Sequence, residues 1–181
     1  MNEEMEKQIA EMQKKLNKLE KGTKDQLAMV VFSGDLDKIL AAMIIATGAA
    51  ASDTKAKIFF TFWAISALRD PKKSIRGKNF ISKMFGMMLP KGMGKIKLSK
   101  MNMFGMGKAM IKGLMKKQNV PSLEQLFKYA EEGGVEINVC EMSMNLMGFK
   151  KEELIDYKYL NVCGVATFIA DASESKIQLF I

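Results

Sequence analysis

Hydrophobic positions follow three different patterns along the 181 residues. In residues 1–22, Met5, Ile9, Met12, Leu16 and Leu19 step by four, three, four and three, with Glu and Lys between them. That is the seam of a heptad helix. Little more than two heptads is too short for a free-standing coiled coil. The segment therefore reads either as a terminal helix laid on its own domain or as half of a dimer zipper. From Leu27 the pattern changes. LAMVVFS (27–33), KIFFTFWAI (57–65) and VEINV (135–139) are nearly continuous apolar runs, as expected of strands covered on both faces. Between the first two, LDKILAAMIIATGAAAS predicts a helix whose small residues permit close approach to a sheet. VPSLEQLFKYAEEGG predicts another, with Ser122 as N-cap, Gln125 three residues later and Gly133-Gly134 at its end. A short helix around Lys151–Asp156, a strand in YKYLNV, a helix in GVATFIADASE and a closing strand in KIQLFI (176–181) complete the reading. Such alternation predicts an α/β fold, a mainly parallel sheet between helical layers.

The third pattern is an interruption, Pro71 to Asn119, which holds 9 of the 17 methionines and 7 of the 14 glycines. Its composition also relocates the charge. The chain carries a formal net charge of +8, yet 13 of its 28 Lys and Arg lie between Pro71 and Gln118, where there is no Asp or Glu. The remainder is net acidic. A basic pI confined to one insert does not describe a nucleic-acid-binding surface, and no nucleic-acid partner is expected. Flexible, polarisable methionines alternating with Lys and Gly suit a mobile lid, a docking surface for a partner, or an element lying peripherally on a membrane. Met106 to Lys117 reads as one basic helix with Met and Leu along one side. Thioethers without Cys or His make a poor metal site, and GMGKIKL lacks the spacing of a phosphate-binding loop. Neither metal nor cofactor is expected.

Candidate chemistry lies at the carboxyl ends of the strands, where open parallel sheets bind ligands. Ser33, Gly34 and Asp35 follow the first strand, Trp63 belongs to the end of the second, and Cys140 follows the third. Cys163, just ahead of the GVATF helix, enters the same rim. The chain has no histidine, so thiol chemistry here lacks the commonest general base. A cysteine at a loop or helix start gains thiolate character from backbone N–H groups, and a thiolate attacks disulfides or accepts sulfane sulfur. Cys140-Glu141-Met142-Ser143 has C-x-x-S spacing, which lets the Ser143 hydroxyl donate to the sulfur. The plainer readings stand beside these: a strand-end cysteine is often a small buried hydrophobe, and Asp35 suits a helix N-cap. Two cysteines, no secretory leader and the charged start MNEEMEKQ lead to the expectation of a reducing, cytoplasmic setting.

In order and spacing, VVFSGDLDKILAAMIIATGAAAS, KIFFTFWAISAL, KMNMFGMGKAMIKGLMKK, VCEMSMNLMGF and GVATFIADASESKIQLFI resemble the DsrE/DsrF-like family of small sulfur-relay proteins, also labelled peroxiredoxin-like. The likeness runs from about Gln26 to Ile181 and leaves out the N-terminal helix. It is nearest to the branch with a long Met-rich insert and a C-x-M-S-M element, which draws Met142 into the motif. The resemblance implies a three-layer flavodoxin-like fold in residues 26–181, a tendency to form homo-oligomers, and a persulfide carried on Cys140. It also implies rhodanese-like or TusA-like proteins as sulfur donors and acceptors. It assigns no role to Cys163, and no thioredoxin-type C-x-x-C supports peroxidase chemistry. Three functions remain in view: a sulfur carrier or sulfurtransferase using Cys140, a thiol–disulfide redox protein using Cys140 and Cys163, and a non-enzymatic adaptor docking through the insert.

Overall fold

A computed structural model describes residues 2–73 and 80–181. Helix α1 (Asn2–Gly22) leads into β1 (Lys24–Val31), α2 (Leu36–Ala51) and β2 (Lys55–Phe60). The insert follows, with α3 (Phe80–Met88) and α4 (Met106–Lys117). Then come α5 (Leu123–Glu132), β3 (Glu136–Cys140), α6 (Glu141–Met147), β4 (Leu160–Cys163), α7 (Val165–Ser173) and β5 (Ser175–Phe180).

The five strands form one sheet in the order β4-β3-β2-β1-β5, and every neighbouring pair is parallel. Topology decides which face each helix covers. Steps from β1 to β2 and from β2 to β3 run in one direction, and right-handed crossovers put α2 and α5 on the same face. The return from β4 to β5 runs the other way, which puts α7 on the opposite face. Side chains confirm the layers. Leu27, Met29 and Val31 of β1 align in register with Ala56, Ile58 and Phe60 of β2, and these with Ile137 and Val139 of β3. All are buried, in one core with Ile39, Met43, Leu126 and Phe127 of α2 and α5. Phe60 meets Phe127 at a centroid distance of 6.3 Å. On the other face Phe59 meets Phe168 of α7 at 5.5 Å. This is the three-layer flavodoxin-like arrangement that the resemblance implies.

Two expectations about elements are corrected, and one element was not expected at all. The second strand ends at Phe60 rather than Ile65: Phe62 takes a positive φ of 45° and the chain continues as a 3-10 helix, Phe62–Leu68. Ala64, Ile65, Ala67 and Leu68 are buried all the same, so hydrophobicity alone could not tell one state from the other. The segment around Lys151–Asp156 is a single 3-10 turn, Lys151–Glu153. A true helix, α6, lies in the methionine stretch just before it. Met144 and Met147 bury one side of α6, and Gly148 closes it in a left-handed conformation (φ 65°).

Within the insert, α4 spans the predicted Met106–Lys117 and exposes Met106, Met110 and Leu114 in one line. Phe104, held at a φ of 55°, is fully exposed. Arg69 ties the insert to the sheet domain. Its buried guanidinium donates to the Gly86 carbonyl (3.1 Å) and the Pro90 carbonyl (3.4 Å), faces Glu153 at 3.7 Å and lies 4.5 Å from the Phe149 ring centroid. In α1, the seam residues Met5, Ile9 and Met12 are exposed, while the side chains of Leu16 and Leu19 lie outside the described residues. Residues 74–79 of the insert lie outside them as well. Among the described residues no helix is long and apolar enough to cross a membrane.

Candidate functional site

Strand register builds the site. Phe59, Asn138 and Asn161 form one row across β2, β3 and β4, and two residues further along Cys140 pairs with Cys163. Residues paired in register on parallel strands point to the same face, and neighbouring strands lie roughly 5 Å apart. The two thiols therefore stand side by side at the carboxyl end of the sheet. They share the face that α7 covers. Thr61, one residue beyond β2, extends the row on the far side of Cys140. Its hydroxyl lies 2.9 Å from that of Ser143, which is fully buried in the first turn of α6.

Surroundings set the two sulfurs apart. Burial pushes the Cys140 thiol up, but four groups outweigh it: the Ser143 hydroxyl, the Ser143 N–H, the Thr61 hydroxyl and the Met142 N–H. The net result lies below an ordinary thiol, toward the thiolate. Burial also pushes Cys163 up, and there the hydrogen bond with Thr167 of α7 is not enough. Negative neighbours, Asp171, Cys140 and Glu141, raise it further, and the net shift is upward. Exposure differs in the same sense: Cys140 is only 3% exposed, whereas Cys163, on the edge strand, is half-buried.

Helix α7 is held over this face by polar contacts. Lys57 Nζ donates to Asp171 (2.7 Å) and lies 3.5 Å from Glu136. Gln26 donates to the Ser175 hydroxyl at 2.8 Å and to the Asp171 carbonyl at 3.2 Å. Lys57 keeps its charge more firmly than a free lysine: burial opposes the charge, but Asp171 and Glu136 more than compensate.

The expected rim residues divide into two groups. Cys140, Ser143 and Cys163 come together, with the Met142 backbone contributing while its side chain is exposed. Ser33, Gly34, Asp35 and Trp63 instead form one wall of a separate cleft of about 680 Å³, facing Lys91 and Lys95 of the insert. Asp35 occupies the N-cap position of α2 but makes no side-chain cap bond; its carboxylate accepts from the Ser33 hydroxyl at 2.9 Å. Gly34 is required by space, since a Cβ there would lie 2.6 Å from the Trp63 carbonyl oxygen. Thr61 and Thr167 were missed from the sequence. Thr61 follows an apolar strand end as Ser33 does, which is the signal that could have found it. A further cavity, about 450 Å³ between α2, α4 and α5, has neither cysteine in its walls. Among the described residues no three His, Cys, Asp or Glu side chains converge as metal ligands would.

Comparison with known proteins shows the family of the chain. The model of the DsrE/DsrF/DrsH-like family matches residues 23–180. The chain belongs to that family. It is 50% identical over 153 residues to the uncharacterized protein YrkE of Bacillus subtilis, covering 84% of this chain and 94% of that one. It is 34% identical over 160 residues to a protein of Allochromatium vinosum named sulfur carrier protein DsrE2, covering 86% and 98%. Among solved structures, the ychN protein from E. coli aligns with a TM-score of 0.47 and 10% identity, over 86% of this chain and 99% of that one.

Proposed function

We propose that the protein is a sulfur carrier that holds a persulfide on Cys140. The observation that carries this reading is the setting of that thiol at the end of β3, where hydroxyls of Ser143 and Thr61 and two N–H groups favour the thiolate against burial. Belonging to a family in which a relative bears the name sulfur carrier supports it. The chemistry balances without an external oxidant. The Cys140 thiolate attacks the outer sulfur of a persulfide or polysulfide donor; the new Sγ–S bond forms as the donor's S–S bond breaks, and the donor leaves as a thiolate or as a polysulfide one sulfur shorter. An acceptor thiol reverses the sequence. Rhodanese-like or TusA-like proteins, as sulfur donors and acceptors, are the partners we infer, in a cytoplasmic setting.

Residues 26–181 form the working domain in this reading, with 1–22 an appended helix and 71–119 an insert. Homo-oligomer formation is supported by the α7 face, where Val165 is 61%, Ile169 60% and Phe180 73% exposed. Peripheral membrane contact through the insert is supported by exposed Phe104 and the Met106–Met110–Leu114 line in a lysine-rich segment that carries no Asp or Glu of its own. One observation favours a second reading: the Cys140–Cys163 pairing also suits thiol–disulfide exchange.

Intact-mass spectrometry after exposure to sodium polysulfide tests the carrier. The wild type should gain a sulfur atom that reductant removes, and Cys140→Ser should not. A Cys140→Ser variant that still gains the labile sulfur would overturn the proposal.

A further inference from the structure

The carrier reading leaves a steric problem at Cys140. Its sulfur sits on β3, between β2 and β4, with only 3% of the residue exposed, and the first turn of α6 closes on it through the Met142 and Ser143 N–H groups and the Ser143 hydroxyl. A small polysulfide anion can reach such an atom. A cysteine on a folded partner cannot reach it without displacing β4 or α6. Cys163 lies directly beside it in register, on the outermost strand, half-buried, with exposed Gly164 and Val165 following.

We propose that Cys140 and Cys163 form a two-thiol relay, in which Cys140 stores the sulfane sulfur and Cys163 is the port that exchanges it with a protein thiol. The inference rests on the carrier reading for Cys140. Geometry permits the transfer: neighbouring strands place the paired Cα atoms roughly 5 Å apart, inside the 4.4–6.8 Å or so over which two cysteine sulfurs can approach to bonding distance. In the transfer step the Cys163 thiolate attacks the outer sulfur of Cys140–S–SH. The bond from Cys163 Sγ to that sulfur forms as the bond from Cys140 Sγ breaks. Overall, thiol plus persulfide gives thiol plus persulfide, so nothing is oxidised and the proton count is unchanged. The difference between the two thiols sets a direction. A less basic sulfur is the better leaving group and a more basic one the stronger nucleophile. Cys140, lowered by its hydrogen bonds, suits the first role, and Cys163, raised by burial and its acidic neighbours, the second. Thr167 and the Lys57–Asp171 contact hold α7, and with it the end of β4 at Cys163, in place for both.

The experiment loads the full chain with sodium polysulfide and removes excess reagent. Discharge is then followed by mass to two acceptors of different size, cyanide and a polyethylene-glycol thiol. Cys163→Ser and Cys163→Ala are compared with wild type after their melting temperatures are checked. Both variants should load on Cys140 and yield their sulfur to cyanide at the wild-type rate, while discharge to the bulky thiol slows about tenfold or more. Partly discharged, alkylated wild type should show sulfur on the Cys163 peptide as well as the Cys140 peptide, which trypsin separates at Lys150, Lys151 and Lys158. Equal discharge to both acceptors in variants and wild type overturns the relay but leaves Cys140 a carrier. Loaded wild type that loses two hydrogens together with its extra sulfur has instead closed a Cys140–Cys163 disulfide with release of hydrosulfide, and that also overturns the relay. If neither wild type nor variants gain sulfur, the carrier reading itself fails.

Discussion

The two faces of the sheet are made from the same strands but follow different physical rules. Toward α2 and α5, every described position from Leu27 to Val139 that points inward is apolar, and the layer is sealed. Toward α7, the rows contain Lys57, Glu136, Asn138, Asn161 and Gln178 beside Ala28, Val30 and Phe59, and they end at Cys140 and Cys163. The first face gains its stability from area removed from water. The second holds its helix by a few directed polar contacts and leaves apolar residues of α7 uncovered. A thiol that must take up and release sulfur belongs on the second. Placed in the sealed layer it would be inert.

That contrast is broken or sharpened by substitution. The largest effect should come from Phe60→Ala, which opens a cavity between β2 and α5. We expect a loss of about 3–5 kcal/mol in urea unfolding, with little change in Cys140 reactivity if the protein is still folded. On the other face, Lys57→Met leaves Asp171 and Glu136 without their cation and should cost about 1–3 kcal/mol. If it costs as much as Phe60→Ala, the two faces are not different in kind. Its pH dependence gives a further check. Lys57 is raised in the folded state, so its contribution is complete below the ordinary lysine value and is lost as pH rises through the folded one. Wild-type stability should therefore fall in the alkaline range above about pH 10.5, and Lys57→Met should show less of that fall. The smallest stability change should be Thr61→Val, about 1 kcal/mol. Its effect on chemistry is the informative one. Losing that hydroxyl should move the pH profile of Cys140 alkylation upward, and an unmoved profile would remove Thr61 from the site.

Much of the scaffold was legible beforehand because strands covered on both faces leave long apolar runs. The Ser122 box was legible because it uses fixed spacing, and it forms as read, with the Gln125 N–H donating to the Ser122 hydroxyl and the Ser122 N–H donating to Gln125. Helix α6 was not legible. Seven residues, in which Glu141, Ser143 and Asn145 alternate with apolar ones, give too little helical period to separate from a loop. Nor was the split of the rim, because Ser33 and Cys140 both lie at the carboxyl ends of strands yet β1 and β3 are separated by β2.

The sequence by itself determined the kinds of groups available: two cysteines, no histidine, a serine three residues after the first cysteine, and a basic insert without acids. Local chemistry follows from local spacing, so these could be read directly. Only the tertiary structure decided that Cys140 and Cys163, 23 positions apart in the chain, stand side by side, that Thr61 joins them, and that one thiol is covered while the other is at an edge. Strand order and register set those relations, and both depend on how helices cross over the sheet as a whole, which no short stretch of residues encodes.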